Sequence, residues 1–447
     1  MASVEASSPL AEQTPRPRLR AGSELPVMRG SVLWHTLRFT FDPDGFFWSA
    51  HRRYGDIFKL RILGQEWVAI AHPEAVKEVF SHGPGELNSG EANEALSPVL
   101  GTRNLLLLDG EEHLHRRRIV LPPFHGERMR AYEQTIRAAA VKQIERWPVG
   151  EPVAALPRMQ ELTFEVIVRC VFGVREGERV GELSDALQGM ISWVTDMRRV
   201  LFFFIVGPQR LNSVPAFRRQ LARVDREILA EIERRRAMPD LAEREDILSM
   251  LVQATDEDGE HLTDAELRDE LMTLLIAGHE TTATLLSWAI HDLARDPAAQ
   301  RRLAEEGGAF CEAVVAEELR LHPPTGGLAR RLREPLSIGG YELSAGTDLV
   351  PVTLLVHRRA DIYEKPWTFK PERFLDTRPP AGAWFPFGGS VRRCIGASFA
   401  QFEAKIVLEE LTKALELRPA KPRPERTSRR AIVLVPSKGA RVVARRR

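Results

Sequence analysis

The glycine-rich loop around Cys394 holds the most reactive candidate side chain in the sequence. Residues 387–396 read FGGSVRRCIG, and the helical pattern ASFAQFEAKIVLEEL follows directly. Glycine allows tight turns and a close approach of the backbone to a ligand. A cysteine at a helix start is stabilised as a thiolate by the helix dipole, and Arg392 and Arg393 add positive charge. The pattern is typical of a nucleophile, a redox sulfur or a metal ligand, and alone it does not separate them.

A polar interruption inside a long apolar helix is the second candidate. Thr263 followed by Glu266 is a capping-box start, and apolar residues recur until Pro297 supplies a stop. The spacing predicts a helix of about thirty residues, about 45 Å long. Its middle, residues 277–282, reads AGHETT. Glycine and threonine weaken or bend a helix interior, so the break in an otherwise regular element indicates function. A solvated stripe on a surface helix would give the same pattern.

The rest of the chain predicts a mainly α protein with a small β portion. Most of the sequence has helical periodicity. Alternating residues predict a hairpin over residues 57–71, glycines divide residues 336–351 into short strands and turns, and the hairpin pattern recurs over residues 432–443. We expect residues 26–447 to form one domain and residues 1–25, which are polar and contain proline, to be a disordered lead.

Composition limits the partners and the location. The 447 residues carry a net charge of +1, which gives no overall attraction to nucleic acid or to an anionic membrane. The sequence has no run of about twenty apolar residues and no signal-peptide pattern. Cys170, Cys311 and Cys394 form no C-x-x-C pair, which favours a reducing cytoplasm. The first two lie in apolar helical patterns and are predicted to be buried.

The cysteine loop resembles the haem-binding signature of the cytochrome P-450 monooxygenases. Phe387, Arg392, Cys394 and Gly396 stand at the positions that this signature fixes. Ser390 replaces the usual glycine, which would change the turn if this position needs a positive φ.

Three further motifs follow in the order of the family. Residues 317–320, EELR, resemble its E-x-x-R motif, residues 371–374, PERF, resemble the partner segment, and residues 277–282 resemble the oxygen-activating segment. The chain is identified as a member of the soluble bacterial type. The resemblance implies a triangular helical domain with a long central helix and small β-sheets. Haem b would be buried between that helix and the cysteine loop.

The resemblance also assigns roles on the cysteine side of the haem. Cys394 would be the axial ligand of the iron, because a thiolate favours O–O cleavage. Phe387 would cover the ring, and backbone N–H groups of the loop would tune the sulfur. The two propionates would be held by His113, Arg117, Arg330 and Arg392. Other basic residues nearby are expected to face solvent: His115, Arg116, Arg118 and Arg331.

On the oxygen side, Ala277 and Gly278 would leave room for dioxygen. Thr281 would hydrogen-bond the oxygen directly or through water, and Glu280 would relay protons from solvent. His279 is expected to be a packing residue.

Behind the cysteine loop, the resemblance implies a buried ion-pair triad of Glu317, Arg320 and Arg373. A buried charge is tolerated when it is paired and hydrogen-bonded. The triad would hold the loop in place.

The implied activity is insertion of one oxygen atom of O2 into a lipophilic small molecule, by hydroxylation or epoxidation. Electrons would come from a separate ferredoxin or flavodoxin and its reductase, since the chain shows no flavin-binding or iron–sulfur motif. Two alternatives remain at this point. One is a haem-thiolate peroxygenase, isomerase or dehydratase that needs no reductase, and the other is a non-enzymatic haem gas-binding protein. The pair Glu280 and Thr281 favours the monooxygenase.

The implied substrates are fatty acids, terpenoids, steroids or polyketides, of which the first two are favoured. Four segments are expected to border the pocket: residues 91–102, 187–206, 324–328 and the turn near Val435. Residues 200–206, VLFFFIV, would form core or an apolar entrance, and core is favoured. The resemblance further implies a monomeric enzyme of secondary metabolism, with no membrane anchor and no nucleic-acid partner.

Overall fold

The computed structural model describes residues 24–62, 64–173, 180–196, 199 and 207–447. The lead expected at residues 1–25 lies almost wholly outside these ranges, and the apolar run 200–206 lies outside them altogether.

Helices make up most of the described chain. The α-helices are α1 (Val32–Phe41), α2 (Pro43–Tyr54), α3 (Pro73–Ser81), α4 (Ser97–Leu100), α5 (Gly110–Val120), α6 (Arg128–Ala131), α7 (Glu133–Glu145), α8 (Ala155–Phe172), α9 (Val180–Thr195), α10 (Pro215–Arg236), α11 (Ile247–Gln253), α12 (Asp264–Leu293), α13 (Pro297–Glu306), α14 (Gly308–Leu321), α15 (Thr353–Val356) and α16 (Ala397–Ala414). Short 3-10 helices cover Glu91–Leu96, Pro122–Phe124, Pro208–Ser213, Leu241–Glu243, Pro371–Phe374 and Ser390–Arg392. Among the described helices, none has the length and apolar character needed to cross a bilayer.

The strands form small sheets. They are β1 (Ile57–Ile62), β2 (Gln65–Ile70), β3 (Leu87–Asn88), β4 (Pro152–Ala154), β5 (Arg330–Leu332), β6 (Leu336–Ile338), β7 (Tyr341–Leu343), β8 (Asp348–Pro351), β9 (Leu415–Pro419), β10 (Thr427–Arg430), β11 (Val433–Pro436) and β12 (Arg441–Arg446). The largest sheet has the order β1-β2-β8-β5-β3, in which only β2 and β8 are parallel. The others are β4-β12-β9, β6-β7 and β10-β11. The predicted mainly α class with a small β portion is confirmed.

The helix α12, hereafter the central helix, begins and ends as the sequence predicts. It has 30 residues. The Thr263 hydroxyl accepts from the N–H of Glu266 at 3.3 Å, and the Glu266 carboxylate accepts from the N–H of Thr263 at 2.9 Å, which completes the capping box. The helix packs against α8, α10, α14 and α16. Because most of its residues are buried on all sides, its polar middle is not a solvated stripe.

The largest buried cluster of apolar side chains surrounds the central helix. It includes Ile167 of α8, Leu271 and Leu285 of the central helix, Val314 of α14 and Val407 of α16. Two smaller clusters hold the N-terminal helices and the faces of the largest sheet. The predicted burial of Cys170 and Cys311 is confirmed.

The hairpin predicted for residues 57–71 is confirmed, since β1 and β2 pair in antiparallel register from Ile57–Ile70 to Ile62–Gln65. The short strands predicted for residues 336–351 are also present as β6, β7 and β8.

The hairpin predicted for residues 432–443 is wrong. Strand β11 pairs with β10, whereas β12 pairs with β4 and β9 in another sheet. The carboxylate of Glu425 accepts from the backbone N–H groups of Lys438 at 2.7 Å, Arg441 at 2.8 Å and Ala440 at 3.2 Å. These N–H groups lie in the turn and directly after it. Because they are hydrogen-bonded to Glu425, the chain turns away from β11. The alternating pattern correctly predicted that both segments are strands, but it predicted the wrong pairing partner for each.

Candidate active site

The cysteine loop, residues 387–396, turns through left-handed backbone at two positions. Gly388 has a φ of 72° and Ser390 a φ of 58°. The N–H of Cys394 donates to the carbonyl of Phe387 at 2.8 Å, and the N–H of Arg393 donates to the carbonyl of Ser390 at 3.1 Å. A side chain in this region of backbone costs roughly 1–2 kcal/mol. The serine therefore occupies a position that favours glycine, and the turn forms despite it.

Cys394 lies just before Gly396, the N-cap of α16. Burial raises the pKa of the Cys394 thiol, and this outweighs the opposite effects of the Gly396 N–H, Arg117 and Arg393. Cys394 nevertheless keeps accessible surface. The raised pKa and the accessible surface are compatible if the sulfur is surrounded by protein but borders an internal space. A soft sulfur donor with a nearby N–H group is suited to a metal ion, which would deprotonate it outright.

The middle of the central helix also keeps accessible surface. Ala277 is exposed and Gly278 and Thr281 are partly buried, although His279 and Glu280 and the turns on either side are buried. Residues 277 and 281 share a face because they are four positions apart. This face is therefore the accessible side of an otherwise buried helix.

Gly278 has a second reason to be small. A Cβ atom at this position would stand 2.9 Å from Cδ1 of Ile167 in α8, which is closer than side chains approach. The glycine lets α8 and the central helix come together, in addition to any room that it leaves for oxygen.

The Thr281 hydroxyl is held by its own helix. Its Oγ1 donates to the carbonyl of Ala277 at 2.6 Å. Because the hydroxyl proton is used in this bond, the oxygen lone pairs remain available as acceptors.

Glu280 is held by a residue that no sequence pattern indicates. The amide Nε2 of Gln160 in α8 donates to the two carboxylate oxygens at 2.9 and 3.0 Å. His279 Nε2 lies 3.0 Å from the carbonyl of the same Gln160, and its ring packs against Phe164. Burial lowers the pKa of His279, so the ring is neutral at pH 7. Gln160 is thus a site residue that only the packing of two helices reveals.

Positive charge gathers around His113. Burial lowers the pKa of His113 to about 3, and the charges of Arg392, Arg117 and Arg330 lower it further. Burial also lowers the pKa of Arg330 to about 10. Within the ranges that the structure describes, neither Arg117 nor Arg330 forms an ion pair. A buried cation without a partner is unfavourable, and a ligand with two carboxylates, such as haem, fits this cluster.

Arg392 differs from the other two arginines because it pairs with a carboxylate. Its guanidinium donates to the carbonyl of Leu105 at 3.1 Å, to the carbonyl of Leu108 and to the carboxylate of Asp109. Asp109 also accepts from the N–H of Ser89 at 2.9 Å. The sequence showed Asp109 only as one acid among many, so its part in the site was missed.

Glu317, Arg320 and Arg373 meet between α14 and the segment 357–374. Arg320 forms a bidentate pair with Glu317 at 2.7 and 2.8 Å, and Arg373 Nε lies 3.2 Å from the same carboxylate. Glu317 and Arg320 have no exposed surface. Arg320 also donates to the carbonyls of His357 at 2.9 Å and Pro366 at 2.8 Å. The guanidinium therefore bridges α14 to the segment that leads to the cysteine loop.

Arg116 does not face solvent as the sequence analysis expected. It is 6% exposed. It donates to the carbonyl of Arg103 at 2.7 Å and pairs with Glu266 and, at 3.3 Å, with Glu270 of the central helix. Two carboxylates far away in sequence draw it inward. The other three residues of that set lie nearer the surface and pair there: His115 with Asp256, Arg118 with Glu257 and Arg331 with Asp348.

Two of the segments expected to border the pocket lie together. The N–H of Leu434, in the strand that contains Val435, donates to the carbonyl of Pro324 at 2.9 Å. A Cβ atom on Gly326 would stand 3.3 Å from Cδ1 of Leu434. Residues 91–102 form a 3-10 helix and α4, and the segment 187–206 is described only in part.

Comparisons with known proteins agree with this geometry. The family model described as Cytochrome P450 matches residues 25–443. Cytochrome P450 135B1 of Mycobacterium tuberculosis is 37% identical over 96% of this chain and 91% of its own length. Cytochrome P450 137 of the same species is 40% identical over 88% of this chain and 83% of its own length. Among solved structures, the retinoic acid-bound cyanobacterial CYP120A1 is similar with a TM-score of 0.81 and 25% identity, over 95% of this chain and 99% of that one. The chain belongs to the cytochrome P450 family and is a haem-dependent monooxygenase.

Proposed function

We propose that the protein inserts one oxygen atom of O2 into a lipophilic small molecule, with electrons from a separate ferredoxin or flavodoxin and its reductase. The observation that carries this proposal is the accessible face of the central helix, where Ala277 and Thr281 keep accessible surface next to the buried Glu280. A pair of hydroxyl and carboxyl side chains at such a face suits delivery of protons to oxygen.

Haem supplies the redox chemistry that activates dioxygen. Cys394 would hold the iron through its sulfur, and the Gly396 N–H would keep a hydrogen bond to that sulfur. His113, Arg117, Arg330 and Arg392 would hold the propionates, and Phe387 would lie against the ring. The triad of Glu317, Arg320 and Arg373 would keep the loop in position from behind.

Protons would reach the oxygen side through Glu280 and Thr281. Both carboxylate oxygens of Glu280 are held by the amide of Gln160, so the carboxylate would have to leave this amide and rotate to carry a proton toward Thr281. Thr281 would then accept a hydrogen bond from the water that carries the proton and so position that water, because its own proton is donated to Ala277. Ala277 and Gly278 keep the space beside Thr281 free of side-chain bulk.

We favour a fatty acid or a terpenoid-like molecule as the substrate, ahead of a steroid or polyketide. The cyanobacterial relative with retinoic acid bound supports a lipophilic substrate. The close contact between Leu434 and the turn at Gly326 supports an apolar pocket wall there. Secondary metabolism is the corresponding biological setting.

We further propose a single-domain, cytoplasmic monomer with no nucleic-acid partner. The three cysteines are free thiols, as in reducing compartments. Arg393 is exposed within the cysteine loop and would contribute to docking of an acidic electron donor.

The proposal is tested first with the reduced, purified protein. Addition of carbon monoxide is expected to give the strongly red-shifted Soret band of thiolate-ligated haem, and Cys394→Ser is expected to abolish it. A panel of lipophilic ligands is then screened for spin-state shifts and for product in the presence of NAD(P)H with surrogate ferredoxin and flavodoxin systems. A normal carbon monoxide band without ligand-dependent NAD(P)H use in any system would reject the monooxygenase with external electron donors.

A further inference from the structure

A second cluster of ionisable side chains lies at the C-terminal end of the central helix, away from the cysteine loop. One ligand atom from each of Asp292, Glu318 and His322 lies within 4.8 Å of the others. Asp292 belongs to the central helix, Glu318 to α14, and His322 is the C-cap of α14. We propose that these three side chains form a binding site for a divalent transition-metal ion of the zinc type.

Glu318 is the observation that carries the proposal. It has no exposed surface, and no donor group of the described residues reaches either carboxylate oxygen, although the carboxylate of Asp292 lies within hydrogen-bond reach. The nearby cations are engaged elsewhere: Arg320 pairs with Glu317, Arg358 with Asp44, and Arg295 donates to His291 and to backbone carbonyls. A buried carboxylate without a donor is strongly unfavourable, so a cation or a proton must accompany it.

The carboxylate of Asp292 is oriented by its two histidine neighbours, His291 and His322. The backbone N–H of Glu425 donates to Nε2 of His291 at 3.1 Å, which leaves the proton of this ring on Nδ1. His291 Nδ1 lies 2.5 Å from one oxygen of Asp292 and donates to it. The other oxygen lies 3.2 Å from Nε2 of His322. Two ligands of a tetrahedral zinc ion are about 3.3 Å apart when each bond is about 2.0–2.1 Å.

The ring of His322 is held in place without hydrogen bonds to its Nδ1. It stacks on Trp288 with a centroid distance of 3.8 Å and an interplanar angle of 3°. The indole N–H of Trp288 donates to the carbonyl of Leu434 at 3.0 Å, which fixes the stacking partner. The His322 side chain is 15% exposed, so the ring keeps some accessible surface.

Charge balance is consistent with a divalent ion. Two carboxylates and two neutral imidazoles carry a total charge of −2, which one divalent cation neutralises. A proton shared between Glu318 and Asp292 is the competing arrangement, but it satisfies only one of the two oxygens of Glu318. Carboxylate and imidazole ligands in a four-coordinate site are those that zinc takes in proteins, with water in the fourth position.

The test uses the full-length, haem-loaded protein. The protein is stripped with a chelator, equilibrated with zinc sulfate, passed over a desalting column, and its zinc is counted against haem iron by mass spectrometry. We expect one zinc per haem in the wild type and at least a tenfold loss of affinity in Glu318→Gln and in His322→Gln. The matched control is His115→Gln, which removes another histidine–carboxylate pair, with Asp256, at the surface. It is expected to keep its zinc.

Melting temperature gives the second readout, because an ion that binds only the folded state raises it. Zinc is expected to raise the melting temperature of the wild type and of His115→Gln but not of Glu318→Gln or His322→Gln. Equal zinc in the wild type and in both cluster variants would place the ion elsewhere and overturn the proposal. A wild type that retains no zinc, together with a Glu318→Gln variant that melts higher, would establish the shared proton instead. Neither result affects the carbon monoxide spectrum, so the haem site is judged separately.

Discussion

Unpaired charge is the clearest mark of a ligand site at the scale of single residues. Arg116 and Arg117 are neighbours in α5, yet Arg116 has two carboxylate partners and Arg117 has none among the described residues. Arg117 instead interacts with the charges of Cys394 and Arg393, and burial lowers its pKa. An arginine held in this way is poised for an anion that the protein itself does not supply.

We therefore expect Arg117→Ala to weaken haem retention by at least about tenfold. The loss of one charge-assisted hydrogen bond to a carboxylate corresponds to about 1.5–3 kcal/mol. Haem transfer to apomyoglobin measures the rate of loss. Arg118→Ala is the matched control, because Arg118 is adjacent and exposed and pairs with Glu257. Equal rates of haem loss in the two variants would remove Arg117 from the propionate cluster.

Thr281 allows a second test at this scale. Thr281→Ala is expected to keep NAD(P)H consumption while product per NAD(P)H falls several-fold and hydrogen peroxide appears, because the hydroxyl no longer organises protons near the oxygen. The measurement is the ratio of product to NAD(P)H with any ligand that the spectral screen identifies. Thr281→Ser, which keeps the hydroxyl, is expected to restore most of the ratio. Unchanged coupling in the alanine variant would contradict the role.

At the scale of elements, local sequence signals predicted the helices and turns that are formed by residues close together in sequence. The capping box at Thr263 and Glu266 and the apolar spacing predicted the central helix, and the turn at Gly64 predicted the first hairpin. The partners of β11 and β12 were not predictable, because the acceptor that separates them, Glu425, lies before β10, two strands ahead of β12. Gln160 was missed for the same reason, since it reaches Glu280 only through packing of α8 on the central helix.

Glu425 is therefore a testable determinant of the sheet arrangement. Glu425→Ala leaves three backbone N–H groups after β11 without their acceptor, and each lost hydrogen bond is worth about 0.5–1.5 kcal/mol. We expect the free energy of unfolding to fall by about 2 kcal/mol, and hydrogen exchange to quicken at residues 438–441. Glu416→Ala, at a half-exposed position in β9, is the control. If hydrogen exchange at the amides of residues 438–441 is unchanged in Glu425→Ala, the turn forms without Glu425.

At the scale of the whole molecule, the backbone of one residue, Leu105, connects the central helix to the cysteine loop. The N–H of Leu105 donates to Glu270 at 2.9 Å, and the carbonyl of Leu105 accepts from Arg392 at 3.1 Å. Arg116 adds a contact to Glu270 from α5. No sequence pattern indicates this connection, because Leu105, Glu270 and Arg392 are more than a hundred residues apart and no two of them share a motif.

Glu270 makes this connection sensitive to pH. It has no exposed surface. Burial raises its pKa from 4.5 to about 7, although Arg116 and the Leu105 N–H favour the charged form. A pKa that is higher in the folded state means that the folded state binds the proton more tightly. The stabilisation is present in full below about pH 4.5 and is lost as the pH rises through about 7.

We expect Glu270→Gln to remove this dependence. Glutamine keeps an oxygen for the Leu105 N–H and has no proton to lose, so the stability of the wild type relative to the variant should fall by roughly 3 kcal/mol between about pH 4.5 and pH 7. Chemical denaturation of both proteins across this range, with the haem spectrum recorded in parallel, gives the difference directly and cancels the titration of all other groups. Parallel stability curves would mean that Glu270 titrates as in the unfolded chain. In that case the ion pair with Arg116 would compensate for burial, and the connection from the central helix through Leu105 to Arg392 would hold equally at every pH in the range.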